Sequence, residues 1–358
     1  MTISVKDLGA AGDGKSLDTR AIQKAIDACF GLGGGEVVMP SGTYLSGDIL
    51  LRSGVTLRLL SGATLLGCRD VGEYYHYREL LDIPAEDISD EPWERRPASD
   101  ARKPRVQMVG CRWNNALIRA FRANDVAVIG EPGSVIDGNN VFDPIGEEDY
   151  RGPHGMTFFE CRNILLKGYT IRNTGNWAHN TIFSKNIDMR GVTVLAGHDG
   201  IHASGCDNIV IDSCEFYTGD DSVAGFANTN VLVENCVLNS ACSAFRSGGT
   251  NMLVKKCRMY GPGRYCYRGS LSKEEKAASA PSATSGHRTN MLSAFTYYAD
   301  FSLPIEHCPG NIVIEDCEID MADRFLHYNF SGNETWQKNK PLESITFRNI
   351  KATGVSMP

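Results

Sequence analysis

The chain has 358 residues, 42% apolar composition and a formal net charge of −7. That is enough apolar material for a large core, and no Pro-, Ser- or charge-rich linker divides it, so one domain over 1–358 is the simplest count. The acidic balance argues against a nucleic-acid or anionic-membrane partner, and no apolar run of about 18 residues is present to span a bilayer.

Met1-Thr2-Ile3-Ser4-Val5 enters patterned sequence at once, without a basic then apolar leader, which points to a cytoplasmic location. Ser16 or Asp18 is placed to cap a short helix on which Ala21, Ile22, Ala25, Ile26 and Cys29 make one apolar stripe. Gly33-Gly34-Gly35 reads as a turn, because no Lys-Ser/Thr follows and the strand-like run Glu36-Val37-Val38-Met39 comes next. This N-terminal region, to about residue 45, reads as a cap on a solenoid, whose first coil would otherwise expose apolar surface.

Further along, an Asn followed by alternating aliphatics recurs at Asn163, Asn186, Asn208, Asn230, Asn251 and Asn311, and the first five are 23, 22, 22 and 21 residues apart. Each repeat holds short alternating runs such as Ile209-Val210-Ile211, bounded by Gly, Asn, Asp and Ser, so strands are favoured over helices. A coil of this length cannot bury its own apolar face, and successive coils must stack with parallel strand pairing. The fold class predicted is all-β: a single-stranded right-handed parallel β-helix with an N-terminal capping helix. Two stretches, about 69–113 and about 270–303, break the period. They carry charge and aromatics (Tyr74, Tyr75, Tyr77 and Trp93; Tyr297 and Tyr298), as loops walling a groove would. Ser344-Ile-Thr-Phe-Arg-Asn-Ile starts another coil, and no C-terminal cap is visible. This leaves truncation or cover by a partner, a homo-oligomer included.

Columns follow from counting. Cys214, Cys236, Cys257 and Cys317 each lie six residues after an anchor Asn and should stack as small apolar residues in the core, with reduced thiols. Thirteen residues after the anchors stand Asn176, Asp199, Asp221, Ser243 and Arg264, with Asp220 beside Asp221. Clustered carboxylates repel and push at least one pKa upward, as a general acid near neutral pH requires. Three residues further on stand His179, His202, Ala224, Arg246 and Tyr267, with His198, Arg264 and Arg268 nearby. An acidic centre bordered by His and Arg suits a sugar, and the Arg groups suit a carboxylated one. Read without further context, Gly219-Asp220-Asp221-Ser222 also fits a β-turn, the three Asp a Ca²⁺ site, and His179 with His202 zinc ligands. The reading carries no metal and no cofactor.

At these residues the chain resembles glycoside hydrolase family 28, the polygalacturonase family of pectin-acting β-helices. The stretch from Val5 to Tyr44 is similar to the start of many pectin-acting β-helix proteins. Asp199-Gly200 and Gly219-Asp220-Asp221 are similar to the family's N-T-D-G and G-D-D motifs, and Trp177 and His179 to the W and H that precede the first of them. The resemblance implies that Asp220 protonates the glycosidic oxygen while Asp199 and Asp221 hold and deprotonate the attacking water, with inversion at the anomeric carbon. The chain departs from the pattern in three places. Gly197-His198-Asp199 stands for N-T-D and His202 for a second Asp; no His lies at 241–243; and the family's R-I-K triplet has no counterpart, although Arg246, Arg264 and Arg268 lie in the same region. The expectation is an inverting glycosidase, exo-acting on short, uronic-acid-containing oligosaccharides, with His179, His198, His202, Arg246, Arg264, Tyr267 and Arg268 binding substrate. The competing readings are a β-helix lyase or uronate epimerase using Ca²⁺, and a non-catalytic carbohydrate-binding solenoid.

Overall fold

The computed structural model describes residues 1–74, 115–278, 290–298, 308–328 and 340–357. Tyr75, Tyr77, Trp93 and most of the first period-breaking stretch lie outside them. The described chain is mostly short strand in parallel ladders and divides into two compact units, Met1–Asn180 with Leu271–Pro281, and Thr181–Ser270 with Ser282–Pro358. Among the described residues no helix is long and apolar enough to cross a membrane.

In the first unit the helix Thr19–Gly31 buries Ile22, Ala25, Ile26 and Cys29 against the strands Thr2–Ser4, Gly35–Met39 and Ile49–Leu51, as its apolar stripe predicts. The expected capping differs. Asp18 holds the cap position, but its carboxylate accepts from the backbone N–H groups of Ala11 at 2.6 Å and Gly12 at 2.9 Å, tying down the preceding loop instead of the helix end. Ser16 turns to Asp13, donating its hydroxyl at 2.9 Å. The glycine run is a turn: Gly34 has φ of 100°, and a Cβ there would meet the Gly54 carbonyl oxygen at 2.5 Å.

In the second unit the period becomes a ladder. Ile187 pairs with Ile209, Ile209 with Val231, Val231 with Met252 and Met252 with Ile312, all parallel. These inward side chains are buried, each contributing about 1.5–3 kcal/mol of apolar burial. The anchors share one backbone state, with φ of 58° at Asn186 and Asn208, 57° at Asn230 and 59° at Asn251. Asn tolerates this left-handed conformation better than other side chains that bear a Cβ. Its amide also bridges coils: Asn208 Nδ2 donates to Asn186 Oδ1 at 3.1 Å and Asn311 Nδ2 to Asn251 Oδ1 at 2.8 Å. The four column cysteines are buried and free, each thiol donating to the carbonyl two residues earlier at 3.1–3.3 Å.

One boundary moves. The stretch expected as an insertion to about residue 303 contains a coil strand, Met291–Tyr297, which pairs in parallel with Ser243–Lys255 and sets Thr296 beside Arg246. Residues 345–348 and 351–353 form the further coil that the pattern at Ser344 predicts.

Candidate active site

The turns entering successive coils of the second unit are bonded to one another. The backbone N–H of Asp221 donates to Asp199 Oδ1 at 3.3 Å, and that of Ser243 donates to Asp221 Oδ1 at 3.0 Å. Gly200 N–H donates to the Asp221 carbonyl at 2.9 Å, so backbone and side chain fix the same column. The neighbouring turn of Asp220 is held through its carbonyl, which accepts from Thr218 Oγ1 at 2.8 Å and Ser240 Oγ at 2.6 Å. One carboxylate oxygen from each of Asp199, Asp220 and Asp221 lies within 4.8 Å of the others. Asp199 and Asp221 are each 2% exposed and Asp220 is half-buried, so Asp220 is the most accessible member of the cluster.

This crowding sets the charge. Burial, then the charge of Asp220, pushes the Asp221 carboxyl up to about 7, against the pull of Arg246 and the hydrogen bonds from Ser243. One proton of the cluster therefore titrates near neutral pH, and it belongs to the coupled groups rather than to one of them. Arg246 Nη1 lies 3.8 Å from Asp221 Oδ2 and its guanidinium sits 3.9 Å over the Tyr298 ring. Burial disfavours its charge, but Tyr298, Asp221, Asp199 and Asp220 hold it firmly protonated.

The remaining expected site residues divide. His202 Nδ1 is 2.9 Å from Asp199 Oδ2. His198, next to Asp199, meets the Tyr267 ring edge-on at 6.2 Å. Arg268 is buried, and its backbone N–H donates to the Gly197 carbonyl at 3.0 Å. Tyr267 and Arg268 thus reach the carboxylate turns by a route counting does not describe. Among the described residues the ladder strand ending at Tyr260 is followed next by the one starting at Met291, and between them Cys266 lies so close that a Cβ on Gly219 would be 2.0 Å from its carbonyl oxygen. For the same reason Arg264 is not in the column. It is exposed, with its guanidinium 5.0 Å over the Tyr217 ring. His179 is corrected as well: it lies in the first unit, 0% exposed, with Nε2 2.9 Å from the Tyr169 hydroxyl, and has no surface to offer a sugar. The first spacing is 23 rather than 22 residues, and a slip of one residue in a strand turns a side chain to the opposite face.

Counting also misses two residues. Phe226 packs edge-on against His202, with centroids 5.9 Å apart, and against Tyr298 at 5.3 Å. Tyr298 was visible only as an aromatic in an irregular stretch, and no periodic signal ties it to Arg246.

Three carboxylates this close can share a proton, orient a water and protonate a leaving oxygen. They could equally accept a hard divalent cation, which would supply charge where Arg246 already stands and would need several further oxygen ligands. Residues 2–61 match the model described as rhamnogalacturonase A/epimerase, pectate lyase-like, and residues 105–242, which include all three Asp, match the model of glycosyl hydrolases family 28. A probable polygalacturonase of Vitis vinifera is 28% identical over 232 residues, 62% of this chain and 43% of that protein. Plasmin and fibronectin-binding protein A of Streptococcus pneumoniae is 54% identical over 171 residues, 46% of this chain and 23% of that protein. The chain spans less than half the length of these curated relatives. The crystal structure of a hyperthermoactive exopolygalacturonase from Thermotoga maritima superposes with a TM-score of 0.63 at 17% identity, covering 99% of this chain and 80% of that one, which establishes the right-handed parallel β-helix. The matched segment, with the three stacked carboxylates inside it, is thus similar to glycosyl hydrolases family 28, and the fold is that of a right-handed parallel β-helix.

Proposed function

We propose that this protein hydrolyses a glycosidic bond of a galacturonan-type oligosaccharide with inversion, acting from a chain end. Asp220, the most accessible of the three, protonates the departing oxygen. Asp199 and Asp221 hold the attacking water between them, and Arg246 faces the sugar as a cation suited to a uronic carboxylate. The carrying observation is the cluster itself: one oxygen from each of three carboxylates within 4.8 Å of the others, with burial and the charge of Asp220 pushing Asp221 up to about 7. Paired carboxylates about 6.5–9.5 Å apart are the usual sign of inversion, and the oxygens here are closer. The 4.8 Å bounds only the nearest oxygens and not the separation of the carboxyl groups, so the anomer of the product is the test of inversion. Exo action is supported by the two long stretches that break the coil period, since walls at the ends of a groove would block a polymer.

The test is release of reducing ends from defined oligogalacturonides by the wild type and by Asp220→Asn. Loss of release in the variant, with monosaccharide as first product, is the expected result; full activity in the variant would remove the mechanism. The 54% identity to a plasmin- and fibronectin-binding protein favours a second, non-catalytic reading. Glycan binding unchanged in Asp199→Asn, without turnover of any oligosaccharide, would favour it. Ultraviolet absorbance from an unsaturated product, lost with chelator, would point to elimination instead.

A further inference from the structure

His202 and Asp199 are both buried and bound to one another, and the surroundings of the imidazole explain why. The strand Ile201–Ser204 pairs His202 with Ala224, and Ala224 in turn with Arg246. The small Ala224 separates two long side chains on one face of the ladder. The edge-on contact with Phe226 fixes the plane of the His202 ring, while Phe226 packs on Tyr298 and Tyr298 lies under Arg246. Contacts therefore close a loop from Asp199 through His202, Phe226, Tyr298, Arg246 and Asp221 back to Asp199.

We infer that His202 is a positioning residue, donating its Nδ1–H to Asp199 Oδ2 so that this carboxylate is held in one rotamer with its remaining lone pairs turned to the attacking water. A carboxylate offers about four lone-pair sites. The Asp221 backbone N–H takes one on Oδ1 at 3.3 Å and His202 one on Oδ2 at 2.9 Å, which locks the group from both ends. At 2% exposure the imidazole is buried with the carboxylate it holds, so its expected role changes from binding sugar to orienting the base. The other charged groups of the site are Asp220, Asp221 and Arg246, with the Tyr298 phenol beyond them. The loss of the His202 donor would leave Asp199 with less support for its charge among two further carboxylates.

This inference rests on the hydrolase reading for its effect on rate, but not for the pairing itself, and two arms separate them. His202→Phe keeps the ring edge against Phe226 and deletes the donor, whereas His202→Asn places an amide N–H near the Nδ1 position. The expected result is kcat lowered about 10- to 100-fold in His202→Phe, the worth of a hydrogen bond to a charged group, with KM within about twofold and most of the rate restored in His202→Asn. Unchanged kcat and KM in His202→Phe would overturn the role, as would equal loss in both variants when both melt as the wild type does. The second arm is ¹⁵N NMR of the imidazole in the full chain. It should show the Nδ1–H tautomer, with a resonance that moves in Asp199→Asn. An Nε2–H tautomer, or no response to Asp199→Asn, would overturn the pairing even if His202→Phe does not fold. No turnover by the wild type, alongside an imidazole that responds to Asp199→Asn, would sink the hydrolase reading and leave the pairing standing.

Discussion

The thiol column at Cys214, Cys236 and Cys257 and the carboxylate column at Asp199 and Asp221 lie in neighbouring coils of the second unit and share the one anchored at Asn208; the thiols repeat at 22 and 21 residues and the carboxylates at 22. Both stack like group on like group, and both are buried. They differ in their surroundings. For Cys236 and Cys257 the thiol one coil earlier lowers the pKa, but the thiol one coil later and burial push it up to about 12, so the groups stay neutral and inert. The carboxylates stack with a third beside them and with Arg246, Tyr298 and His202 against them. A repeat therefore dictates what is stacked; the side chains from outside the column decide whether the stack is packing or chemistry.

The sharpest way to break that contrast is to alter one member of each column. Asp220→Asn should lower kcat about 10²- to 10⁴-fold, the usual worth of a general acid, while Cys236→Ala leaves kcat within about twofold, both read from reducing-end release. Equal losses would erase the distinction. A smaller effect concerns stability. The folded-state pKa of Asp221 is raised from 3.8 to about 7, so between those pH values the folded chain binds a proton that the unfolded chain has lost. Stability contributed at this site must then fall as pH rises from about 4 to about 7. Asp221→Asn should accordingly melt above the wild type at pH 8 by a margin on the order of a few kcal/mol, and the gap should close below pH 4; urea unfolding at both pH values reads it. On the thiol side, Cys236→Ala should cost about 1–2 kcal/mol for the lost packing, with no dependence on pH between 5 and 8. The smallest effects belong to the anchors. Asn208→Ala should destabilise by about 1–2 kcal/mol because φ is 58° there, and Asn208→Gly by less, because glycine takes a positive φ without a Cβ clash.

Much of this architecture was legible in the chain. Asn spacing and alternating aliphatics carry the ladder, because strand pairing in a solenoid turns equal sequence intervals into contacts, and the stacking of Asp221 on Asp199 follows from an interval of 22. Counting failed wherever an interval changed. A single extra residue put His179 in the interior beside Tyr169, and the excursion after Tyr260 sent Arg264 onto Tyr217 while folding Tyr267 and Arg268 back over the carboxylate turns. Tyr298 reaches Arg246 from a stretch whose sequence has no period at all. Contacts of that kind are set by packing between segments distant in sequence, to which a local pattern is blind.

The account stands most directly on the product of a single turnover. Proton NMR of the first sugar released from an oligogalacturonide should show the anomer opposite to the bond cleaved, before mutarotation, with the signal abolished in Asp220→Asn. A retained anomer, or the same signal from the variant, would contradict the assignment of these three carboxylates.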